Sequence, residues 1–579
     1  MRKFTADFET TTDLDDCRVW AFAICEIGNV KNFLYGTSMD EFIEWCSDRC
    51  HNYQLYFHNL KFDGCFIISW LLKNGYTWIE NKKDRDDKTF TTLITDMGQF
   101  YGITIYFQAH NKKHVNKITI MDSLKILNFS VDKIAKDFGL PIQKLKIDYR
   151  EKREIGHQLT EDEVNYIRND VEIMARALEI MFNEGLTKMT ISSDALNNFK
   201  DMIGNFKQYF PELPLEIDFD IRQSYKGGFT YLNPLYQGVE VGKGYVLDKN
   251  SMYPSKMVNE RLPFGEPIYF EGKYKEDKLY PLYIQQFSCV FKLKKGKIPS
   301  IQLKNNPSFR VNEYLESSNG DLVTMTLCNP DLELFFENYD VEDLEFHSGW
   351  KFKAAKGLFD KYVNYWTAKK IEAKKNQNGA LYAISKLMLN SLYGRFGLNP
   401  ASRTKKPYLD ENGVLKFSLN DLEQRKPVYI PIATFITAYA RRDIITSSQK
   451  IREYSMKHYG YDAYIYSDTD SIHCLLSFQD LMKMQREMDI DDYRLGAWKI
   501  ESSFRRAKFI RQKCYIEEDD EEKLNVTVAG LPKRLGKYIS FANFNIGFTT
   551  EGMNIDEHKL SYKQVNGGVV LVDTDFTIK

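Results

Sequence analysis

The chain has 579 residues, of which 43% are hydrophobic and 14% aromatic, with 79 Lys and Arg against 80 Asp and Glu. This length exceeds what one hydrophobic core supports and predicts three to five folding units, while the apolar content excludes wholesale disorder. A formal net charge of −1 gives no general basic excess, so a nucleic-acid partner would need positive charge gathered into a groove. The nine cysteines lack zinc spacing and the N-terminus MRKFTADFETTT lacks an apolar segment, which predicts an intracellular protein without disulfides, zinc or a membrane span.

The first 190 or so residues alternate strand-like and helix-like segments, which is typical of an α/β unit with a mixed sheet. The runs FTADFE, NYQLYFHN and ITIYFQ to ITIMDS predict strands. The segment from Thr160 to Phe182 predicts a helix, because Thr160 and Glu163 form a capping box and the apolar residues that follow have helical spacing.

Four acids on these segments form a first candidate metal site. Asp7 and Glu9 are two residues apart in one predicted strand, so both side chains project from the same face. Asp63 and Asp170 are further candidate ligands, and Tyr166 lies one turn before Asp170 on the same helix face. Two divalent cations would compensate these acids and support phosphodiester hydrolysis, with Tyr166 orienting the water. A lone acid pair is more often surface charge, so this interpretation depends on DFETTT, HNLKFD and YIRND occurring together.

The rest of the chain shows three further local patterns. A helical hairpin is predicted with arms at 354–375 and 381–393 joined by 376–379. Asn412-Gly413 lies between two short apolar runs and predicts a β-hairpin. At the end of the chain, Gly567-Gly568 predicts the turn of a small β-element.

A second candidate carboxylate site combines Asp248 with Asp468 and Asp470. Asp248 ends a predicted strand and precedes a helix start, where Asn250 or Ser251 would cap the helix and Pro254 would lie in its first turn. The backbone N–H groups of 249–252 would then form a seat for phosphate. Asp468 and Asp470 lie at the tip between two predicted strands, without the ligand spacing of a calcium loop. Together the three acids predict a site for two Mg²⁺ that activates a primer 3′-OH and neutralises the departing pyrophosphate.

The second arm of the predicted helical hairpin carries Lys386, Asn390 and Tyr393 on one face. Lys386 is predicted to bind a triphosphate and Tyr393 to stack on a base pair, with Lys370 on the facing arm as a second phosphate ligand. A single lysine is more often a solvent-exposed surface residue than a ligand, so this assignment of Lys386 and Lys370 depends on the surrounding motifs.

Nine motifs resemble those of known DNA polymerases. DKNSMYP, KLMLNSLYG and YSDTDS resemble the polymerase motifs of family B DNA polymerases, and DFETTT, HNLKFD and YIRND resemble the exonuclease segments of the proofreading enzymes. YKGG at Tyr225–Gly228, RQKCY and GGVVLVD resemble the protein-primed, phage phi-29-like branch. The resemblance covers the whole chain. It implies an α/β and α+β multidomain fold with a ribonuclease H-like 3′→5′ exonuclease domain and a right-hand polymerase of palm, fingers and thumb with two insertions.

The resemblance also implies domain boundaries. These are 1–190 for the exonuclease domain, 191–259 for the first part of the palm, 260–357 for the first insertion, 358–396 for the fingers, 397–431 for the second insertion, 432–527 for the second part of the palm, and 528–579 for the thumb. The first insertion would contact a terminal protein that serves as primer. The second insertion would close around downstream DNA.

Roles for individual residues follow from the same resemblance. Ser251, Tyr253 and Asn390 would line the nucleotide pocket, with Tyr253 excluding a ribose 2′-OH. A single-stranded 3′ end would be held by Thr10, His58, Asn59, Phe62, Ser123 and Leu124. The primer would be routed and held by Tyr225, Gly227, Gly228, Lys513 and Tyr515. Either Lys144 or Lys146 would assist the exonuclease, and Asp331 and Glu333 would be either terminal-protein contacts or ordinary surface acids.

The function implied is a DNA-directed DNA polymerase that replicates phage DNA by protein priming, with processive strand displacement and 3′→5′ proofreading. Its implied cofactor is Mg²⁺, two ions per active site, with Mn²⁺ as a substitute. Its partners would be primer–template DNA, single-stranded DNA, deoxynucleoside triphosphates and the terminal protein, and it would be a monomer in the cytoplasm of the infected bacterium.

Three alternatives stay open on the sequence. One is a DNA exonuclease whose C-terminal region binds DNA without catalysis, which the acids Asp248, Asp468 and Asp470 disfavour. Another is an RNA-directed or RNA-synthesising polymerase, and Tyr253 disfavours the use of ribonucleotides. The last is a replication scaffold, which would show no metal dependence.

Overall fold

The computed structural model describes residues 1–47, 52–108, 115–148, 151–303, 308–310 and 312–579. Its buried apolar side chains form several separate cores, one of which belongs to the N-terminal unit and another to the region around the helical hairpin and the longest helix. This agrees with the several folding units that the length predicts. Within the described ranges, none of the helices combines the length and the apolar character that crossing a bilayer needs.

The N-terminal unit is built on an eight-stranded mixed sheet. Its elements are β1 (Arg2–Thr10), β2 (Val19–Glu26), β3 (Asn29–Gly36), α1 (Met39–Cys46), β4 (Tyr53–Phe57), α2 (Leu60–Lys73), β5 (Thr77–Trp78), β6 (Thr89–Ile94), β7 (Phe100–Gln108), β8 (Val115–Asp122), α3 (Val131–Asp137) and α4 (Glu161–Asn183). The strand order is β3-β2-β1-β4-β8-β7-β6-β5, and β4 runs parallel to both β1 and β8. The predicted strands and the capped helix are therefore confirmed, with Thr160 and Glu163 exchanging hydrogen bonds at 3.0 and 3.2 Å.

The next stretch of the chain supplies part of a central sheet and then a separate antiparallel sheet. Its elements are α5 (Ile191–Ile203), α6 (Phe206–Tyr209), α7 (Leu215–Arg222), β9 (Thr230–Leu232), β10 (Glu240–Val241), β11 (Gly244–Lys249), α8 (Met252–Asn259), β12 (Leu262–Glu271), β13 (Leu282–Leu293), β14 (Val323–Cys328), α9 (Asn329–Asn338) and β15 (Tyr339–Ala355). Strands β12, β15, β13 and β14 form one four-stranded sheet in that order. This sheet lies within the predicted first insertion.

A helical hairpin follows, formed by α10 (Asp360–Lys375) and α11 (Gly379–Phe396). The predicted first arm, 354–375, begins too early because Ala354 and Ala355 still pair with β12 as the end of β15. The predicted β-hairpin is also present, and the strands of this part are β16 (Ala401–Ser402), β17 (Lys405–Leu409), β18 (Leu415–Leu419) and β19 (Glu423–Gln424). The loop between β17 and β18 is longer than Asn412-Gly413. The Asp410 carboxylate lies within this loop and accepts the N–H groups of Asn412 and Val414 at 3.0 and 2.9 Å.

The last part of the chain completes the central sheet. Its elements are α12 (Ile430–Tyr459), β20 (Tyr464–Asp468), β21 (Ser471–Cys474), α13 (Phe478–Lys483), α14 (Gln485–Met488), β22 (Trp498–Phe504), β23 (Arg506–Arg511), β24 (Cys514–Glu518), β25 (Leu524–Val528), β26 (Lys559–Val565) and β27 (Gly568–Thr574). The central sheet has the order β22-β11-β21-β20-β9, and α12 packs against it. This sheet unites strands that are more than 200 positions apart in the chain, from β9 at 230–232 to β22 at 498–504.

The terminal hairpin β26–β27 docks on the N-terminal unit. Its turn is Asn566-Gly567 and not the predicted Gly567-Gly568, because Gly568 already begins β27. A Cβ on Gly567 would lie 2.2 Å from the carbonyl oxygen of Cys17, so this close approach requires glycine. The Asn566 amide also donates to the carbonyl of Asn412 at 3.0 Å, which connects the two hairpins.

A basic stretch of Arg505, Arg506, Lys508, Arg511 and Lys513 is followed by an acidic run from Glu517 to Glu522, and some of these charges form ion pairs. Arg505 pairs with Glu518 at 3.1 Å and with Glu522 at 2.9 Å, and Arg506 also contacts Glu518. Two residues of the basic stretch therefore pair with two glutamates of the acidic run that follows it. These two arginines do not contribute free positive charge to a groove.

Candidate active sites

The first site lies where β1 meets α4. Ligand oxygens of Asp7, Glu9 and Asp170 lie within 4.8 Å of one another. Asp7 and Glu9 share one face of β1 because they alternate with the buried residues of that strand, and Asp170 projects from the capped helix that packs on β1. Asp63 on α2 is buried beside them, and the negative charges of Asp7 and Glu9 reach it. The structure thus unites the four predicted acids.

The acids of this first site resist ionisation as a group. Burial first, and then the charge of Asp170, raises the pKa of Asp7 to about 7, with Lys144 opposing the shift. Burial and neighbouring carboxylates also raise the pKa values of Glu9 and Asp63 well above their usual range. Among the residues that the structure describes, one buried carboxylate oxygen each of Asp63 and Asp170 has no hydrogen-bond partner. Clustered, unsatisfied carboxylate oxygens are suitable ligands for Mg²⁺, so this donor set fits a divalent metal.

One lysine and one tyrosine complete the first site. The Lys144 ammonium donates to the Asp170 carboxylate and lies 5.5 Å from the centroid of the Tyr166 ring. Lys146, the other predicted lysine, is exposed. The geometry therefore favours Lys144 over Lys146. The sequence alone left both lysines open.

The residues predicted to hold a single-stranded 3′ end line the neighbouring wall. The His58 ring bonds Ser123 at 3.0 Å and the Phe129 carbonyl at 2.7 Å. Ser123 is 0% exposed and donates to the Phe57 carbonyl at 3.0 Å, so it holds His58 in place and does not face a ligand directly. Phe62 is half-buried, as are Thr10 and Leu124. This wall therefore combines a fixed imidazole with partly accessible apolar surface.

The terminal hairpin adds a residue to this wall that the sequence did not indicate. Asn59 has left-handed backbone geometry with φ of 77°, and its side-chain amide donates to the Tyr562 hydroxyl at 3.2 Å. The Tyr562 ring centroid lies 6.1 Å from that of Phe62, and the Lys61 ammonium lies 5.2 Å from the same tyrosine ring. Tyr562 thus touches two residues of the predicted single-strand wall from the opposite end of the chain.

The second site lies on the central sheet. Asp248 is opposite Ser471 across β11 and β21, and Ser471 is opposite Asp468 across β21 and β20. Residues directly opposite in neighbouring strands project from the same face, so Asp248 and Asp468 share one face of the sheet. Asp470 lies in the turn between β20 and β21, where its carbonyl accepts the Lys249 N–H at 2.8 Å. Burial first, and then Asp248, raises the pKa of Asp470 to about 6.

Asp468 and Asp248 are each paired with the ammonium group of a lysine. The Lys513 Nζ lies 2.7 Å from both carboxylate oxygens of Asp468, and the Lys499 Nζ lies 3.0 Å from Asp248 Oδ1. A carboxylate set that attracts two cationic side chains fits divalent metal ions. Lys513 was predicted as a primer ligand. Lys499 was not predicted, because nothing in WKIES distinguishes a ligand from a surface lysine.

The predicted nucleotide pocket lies between this sheet and the helical hairpin. The rings of Tyr253 and Tyr393 are 4.0 Å apart at their centroids. Burial first, and then the charges of Lys386 and Lys499, lowers the pKa of Lys370, so Lys370 lies close to Lys386 and to Lys499, the partner of Asp248. Lys386 and Asn390 are exposed on α11.

The start of α8 differs from the prediction in its capping. Ser251 is the N-cap residue, but its φ of 53° is left-handed and its side chain does not cap the helix. The Asn250 amide instead donates to the carbonyls of Asp491 and Arg494 at 2.9 and 3.3 Å. Pro254 lies at the third helical position. The backbone therefore turns sharply directly after Asp248, which leaves the Ser251 hydroxyl uncommitted to the helix end.

The segment Tyr225–Gly228 is held by a buried arginine. Arg441 of α12 donates to the carbonyls of Lys226 and Gly227 at 2.7 Å each, and its other nitrogens bond the Asp331 carboxylate. Asp331 is only 8% exposed, so its prediction as a terminal-protein contact or surface acid is wrong. Its role is to neutralise Arg441. Glu333, two residues later, is half-exposed and pairs with Arg442.

Gly228 and Tyr515 connect the remaining predicted primer residues to the second site. A Cβ on Gly228 would lie 2.8 Å from Thr469 Oγ1 and 3.1 Å from the Tyr253 hydroxyl, whereas Gly227 has open space around it. The Tyr515 ring lies 5.4 Å from Tyr466, whose hydroxyl donates to Asp468 at 3.2 Å and accepts the Lys513 N–H at 3.0 Å. These residues therefore border the acid cluster next to Asp468.

Comparison with known proteins finds relatives that match this chain along its whole length. The model of the family "DNA polymerase type B, organellar and viral" matches residues 48–479. The DNA polymerase of Bacillus phage Nf is 45% identical over 100% of both chains, and that of Bacillus phage phi29 is 44% identical over 100% of this chain and 99% of its own. The DNA polymerase of Streptococcus phage Cp-1 is 34% identical over 100% of this chain and 98% of its own.

A solved structure of phi29 DNA polymerase with primer–template DNA and incoming nucleotides matches with a TM-score of 0.91, covering 100% of both chains at 44% identity. The chain therefore belongs to the organellar and viral type B DNA polymerases. Within that family it is a DNA-directed DNA polymerase of the phi29 type. The predicted fold, an exonuclease unit joined to a palm, fingers and thumb polymerase, is confirmed.

Proposed function

We propose that this DNA polymerase replicates phage DNA from a terminal-protein primer, with processive strand displacement, and corrects its errors with a 3′→5′ exonuclease. The observation that carries the proposal is that one chain holds two separate carboxylate clusters. One contains Asp7, Glu9 and Asp170 within 4.8 Å, and the other aligns Asp248 and Asp468 on one face of the central sheet. Two such clusters suit two different phosphoryl-transfer reactions.

At the synthesis site the residues of this chain would bind and orient the substrates. Lys386 and Lys370 would bind the triphosphate, and Tyr393 would stack on the new base pair. Tyr253, packed 4.0 Å from Tyr393, would close the pocket where a ribose 2′-OH would project. Lys513 and Tyr515 would hold the primer terminus beside Asp468. Ser251 and Asn390 would complete the pocket for the deoxynucleotide. Tyr225, Gly227 and Gly228 would guide the primer.

At the exonuclease site the chain would hold a frayed 3′ end. Mg²⁺, two ions per site, with Mn²⁺ as a substitute, would supply an activated hydroxyl at both sites and stabilise the leaving oxygen. The exonuclease ligands would be Asp7, Glu9, Asp63 and Asp170, and the synthesis ligands Asp248, Asp468 and Asp470. Tyr166 and Lys144 would orient the attacking water. Phe62 and His58 would contact the terminal bases, with Thr10, Asn59 and Leu124 beside them and Ser123 supporting His58.

The finer replication properties rest on the relatives and on hairpin contacts. The similar phi29 enzyme has been solved with primer–template DNA, with nucleotides and with single-stranded DNA, which supports the same partners here. The bond between Asn412 and Asn566 supports processivity, because it joins the second insertion to the terminal hairpin. We keep the domain boundaries that the sequence predicts as part of this proposal. The first insertion would bind the terminal protein. The protein would act as a monomer in the cytoplasm of the infected bacterium.

The test is extension of one primer on a single-stranded circle with Mg²⁺, four deoxynucleotides and no accessory protein. Wild type should give products many circle lengths long, and Asp468→Ala should give none while still shortening single strands. Asp7→Ala should show the reverse pattern. If wild type only shortens the primer, the protein is instead a DNA exonuclease whose C-terminal region binds DNA without catalysis.

A further inference from the structure

Lys499 occupies a position at the synthesis site to which the motifs assign no role. It lies on β22 directly opposite Asp248 of β11, so the two side chains project from the same face of the sheet. Its Nζ lies 3.0 Å from Asp248 Oδ1 and 3.9 Å from Glu501, and 32% of its side chain is exposed. The ammonium is therefore held at the acid cluster, yet it remains accessible from the open side.

Lys499 also faces the fingers. The helical hairpin lies beside this end of the sheet, because α10 and α11 both contact α8, the helix that directly follows β11 and Asp248. Burial first, and then the charges of Lys386 and Lys499, lowers the pKa of Lys370 on α10, so Lys499 lies close to the hairpin lysines. Ammonium groups from α10, α11 and β22 therefore converge on the space in front of Asp248.

The ammonium groups of Lys370, Lys386 and Lys499 lie near one another at this site, and Lys499 is the one that also contacts the acids, Asp248 and Glu501. Lys370 and Lys386 would bind the triphosphate, and a third ammonium group beside them would add to the charge neutralisation that the metal ions supply. Lys513, by contrast, contacts Asp468 on the primer side. Of the two lysines bound to the sheet acids, Lys499 is the one directed towards the fingers, where the phosphates would enter.

We propose that Lys499 is a third phosphate-binding lysine, which neutralises Asp248 in the nucleotide-free enzyme and contacts the triphosphate of the incoming deoxynucleotide. The proposal rests on the proposed function, in which Asp248 belongs to the synthesis site. It predicts two effects of opposite sign. Removing the ammonium weakens nucleotide binding, but it also frees a carboxylate oxygen of Asp248, so a divalent cation binds more tightly in the absence of nucleotide. A lysine that only kept Asp248 in place would weaken both when removed.

The experiment compares Lys499→Met and Lys499→Arg with wild type. Lys243→Met is the matched control, because it removes a lysine–aspartate pair at 3.3 Å from the surface beside β11, outside the site. Deoxynucleotide affinity is measured at equilibrium on a dideoxy-terminated primer–template with Ca²⁺. Mn²⁺ affinity is measured by electron paramagnetic resonance on nucleotide-free enzyme, with Asp7→Ala and Asp170→Ala removing ligands of the exonuclease site.

We expect Lys499→Met to raise the nucleotide Kd by about tenfold, as for the loss of one charge-assisted hydrogen bond. It should also lower the Mn²⁺ Kd, whereas Lys499→Arg and Lys243→Met should stay within about threefold of wild type for nucleotide, a difference under about 1 kcal/mol. Unchanged nucleotide affinity, or weaker Mn²⁺ binding, in Lys499→Met would overturn the proposal.

Asp248→Ala, assayed alongside for primer extension, separates the two levels of inference. If it still extends primers, the assignment of the synthesis site fails. If Asp248→Ala is inactive and Lys499→Met binds both ligands as wild type does, only the role of Lys499 fails. Exonuclease activity on single strands checks that Lys499→Met, made without the exonuclease substitutions, is folded.

Discussion

One methyl group added at Gly228 should slow DNA synthesis. A Cβ there would lie 2.8 Å from Thr469 Oγ1, 2.9 Å from Thr469 Cγ2 and 3.1 Å from the Tyr253 hydroxyl. Thr469 is a β-branched residue with φ of 60°, and such strained backbone cannot move without disturbing its neighbours, here the two acids on either side of it. Overpacking of this kind typically costs about 1–3 kcal/mol.

We therefore expect Gly228→Ala to lower the kcat/KM of primer extension by about 5-fold to 150-fold, if most of that cost falls on the synthesis site. Gly227→Ala is the matched control, because a Cβ on Gly227 meets nothing within 4 Å and its φ is not positive. The assay is single-nucleotide extension on a primer–template. Excision of a single strand should remain at the wild-type rate in both variants, since that site lies on the N-terminal sheet.

Equal extension by the two alanine variants would refute the steric argument, because their Cβ environments differ so strongly. Loss of both extension and excision in Gly228→Ala would also refute it, since the effect would then be global unfolding.

Asp331→Ala should lower the free energy of unfolding by about 3–5 kcal/mol, because it leaves the buried Arg441 without its counter-ion. Glu333→Ala removes an exposed ion pair and should lower it by at most about 1 kcal/mol. Urea unfolding of the two variants checks both values. Burial raises the pKa of Asp194 from 3.8 to about 6, so its contribution to stability is present below pH 4 and is lost as pH rises through 6. Asp194→Asn should therefore be more stable than wild type at pH 8 by up to about 2 kcal/mol, with the difference vanishing near pH 4 in the same urea assay. Tyr562→Ala should raise the KM for single-strand excision by about fivefold or more without changing primer extension, while Lys563→Ala, on the opposite face of the hairpin, should leave both unchanged.

Each of these expectations has a contrary result. Equal unfolding of the two α9 variants would mean that Asp331 is not the counter-ion of Arg441. A stability difference for Asp194→Asn that does not vary with pH would exclude titration as its cause. If Tyr562→Ala excises single strands as wild type does, the hairpin contact at Asn59 does not contribute to binding the 3′ end.

Local patterns in the sequence determined much of this protein. Asp7 and Glu9 share a face because strand side chains alternate, and Thr160 starts α4 because a capping box satisfies the first N–H groups of a helix. The helical hairpin and its lysine face follow from helical spacing in the same way. Such features depend on residues a few positions apart, so they can be predicted before the chain is folded.

The partners of these elements were decided only by tertiary structure. Ala354 and Ala355 belong to a strand and not to the predicted helix, because β12 supplies hydrogen bonds that local preference cannot anticipate. Lys144 was distinguished from Lys146 by its contact with Asp170, and Asp331 from a surface acid by Arg441, 110 positions away. Lys499 likewise could be assigned to the site only when β22 was placed beside β11, because the surroundings of a charged side chain depend on which distant residues pack against it.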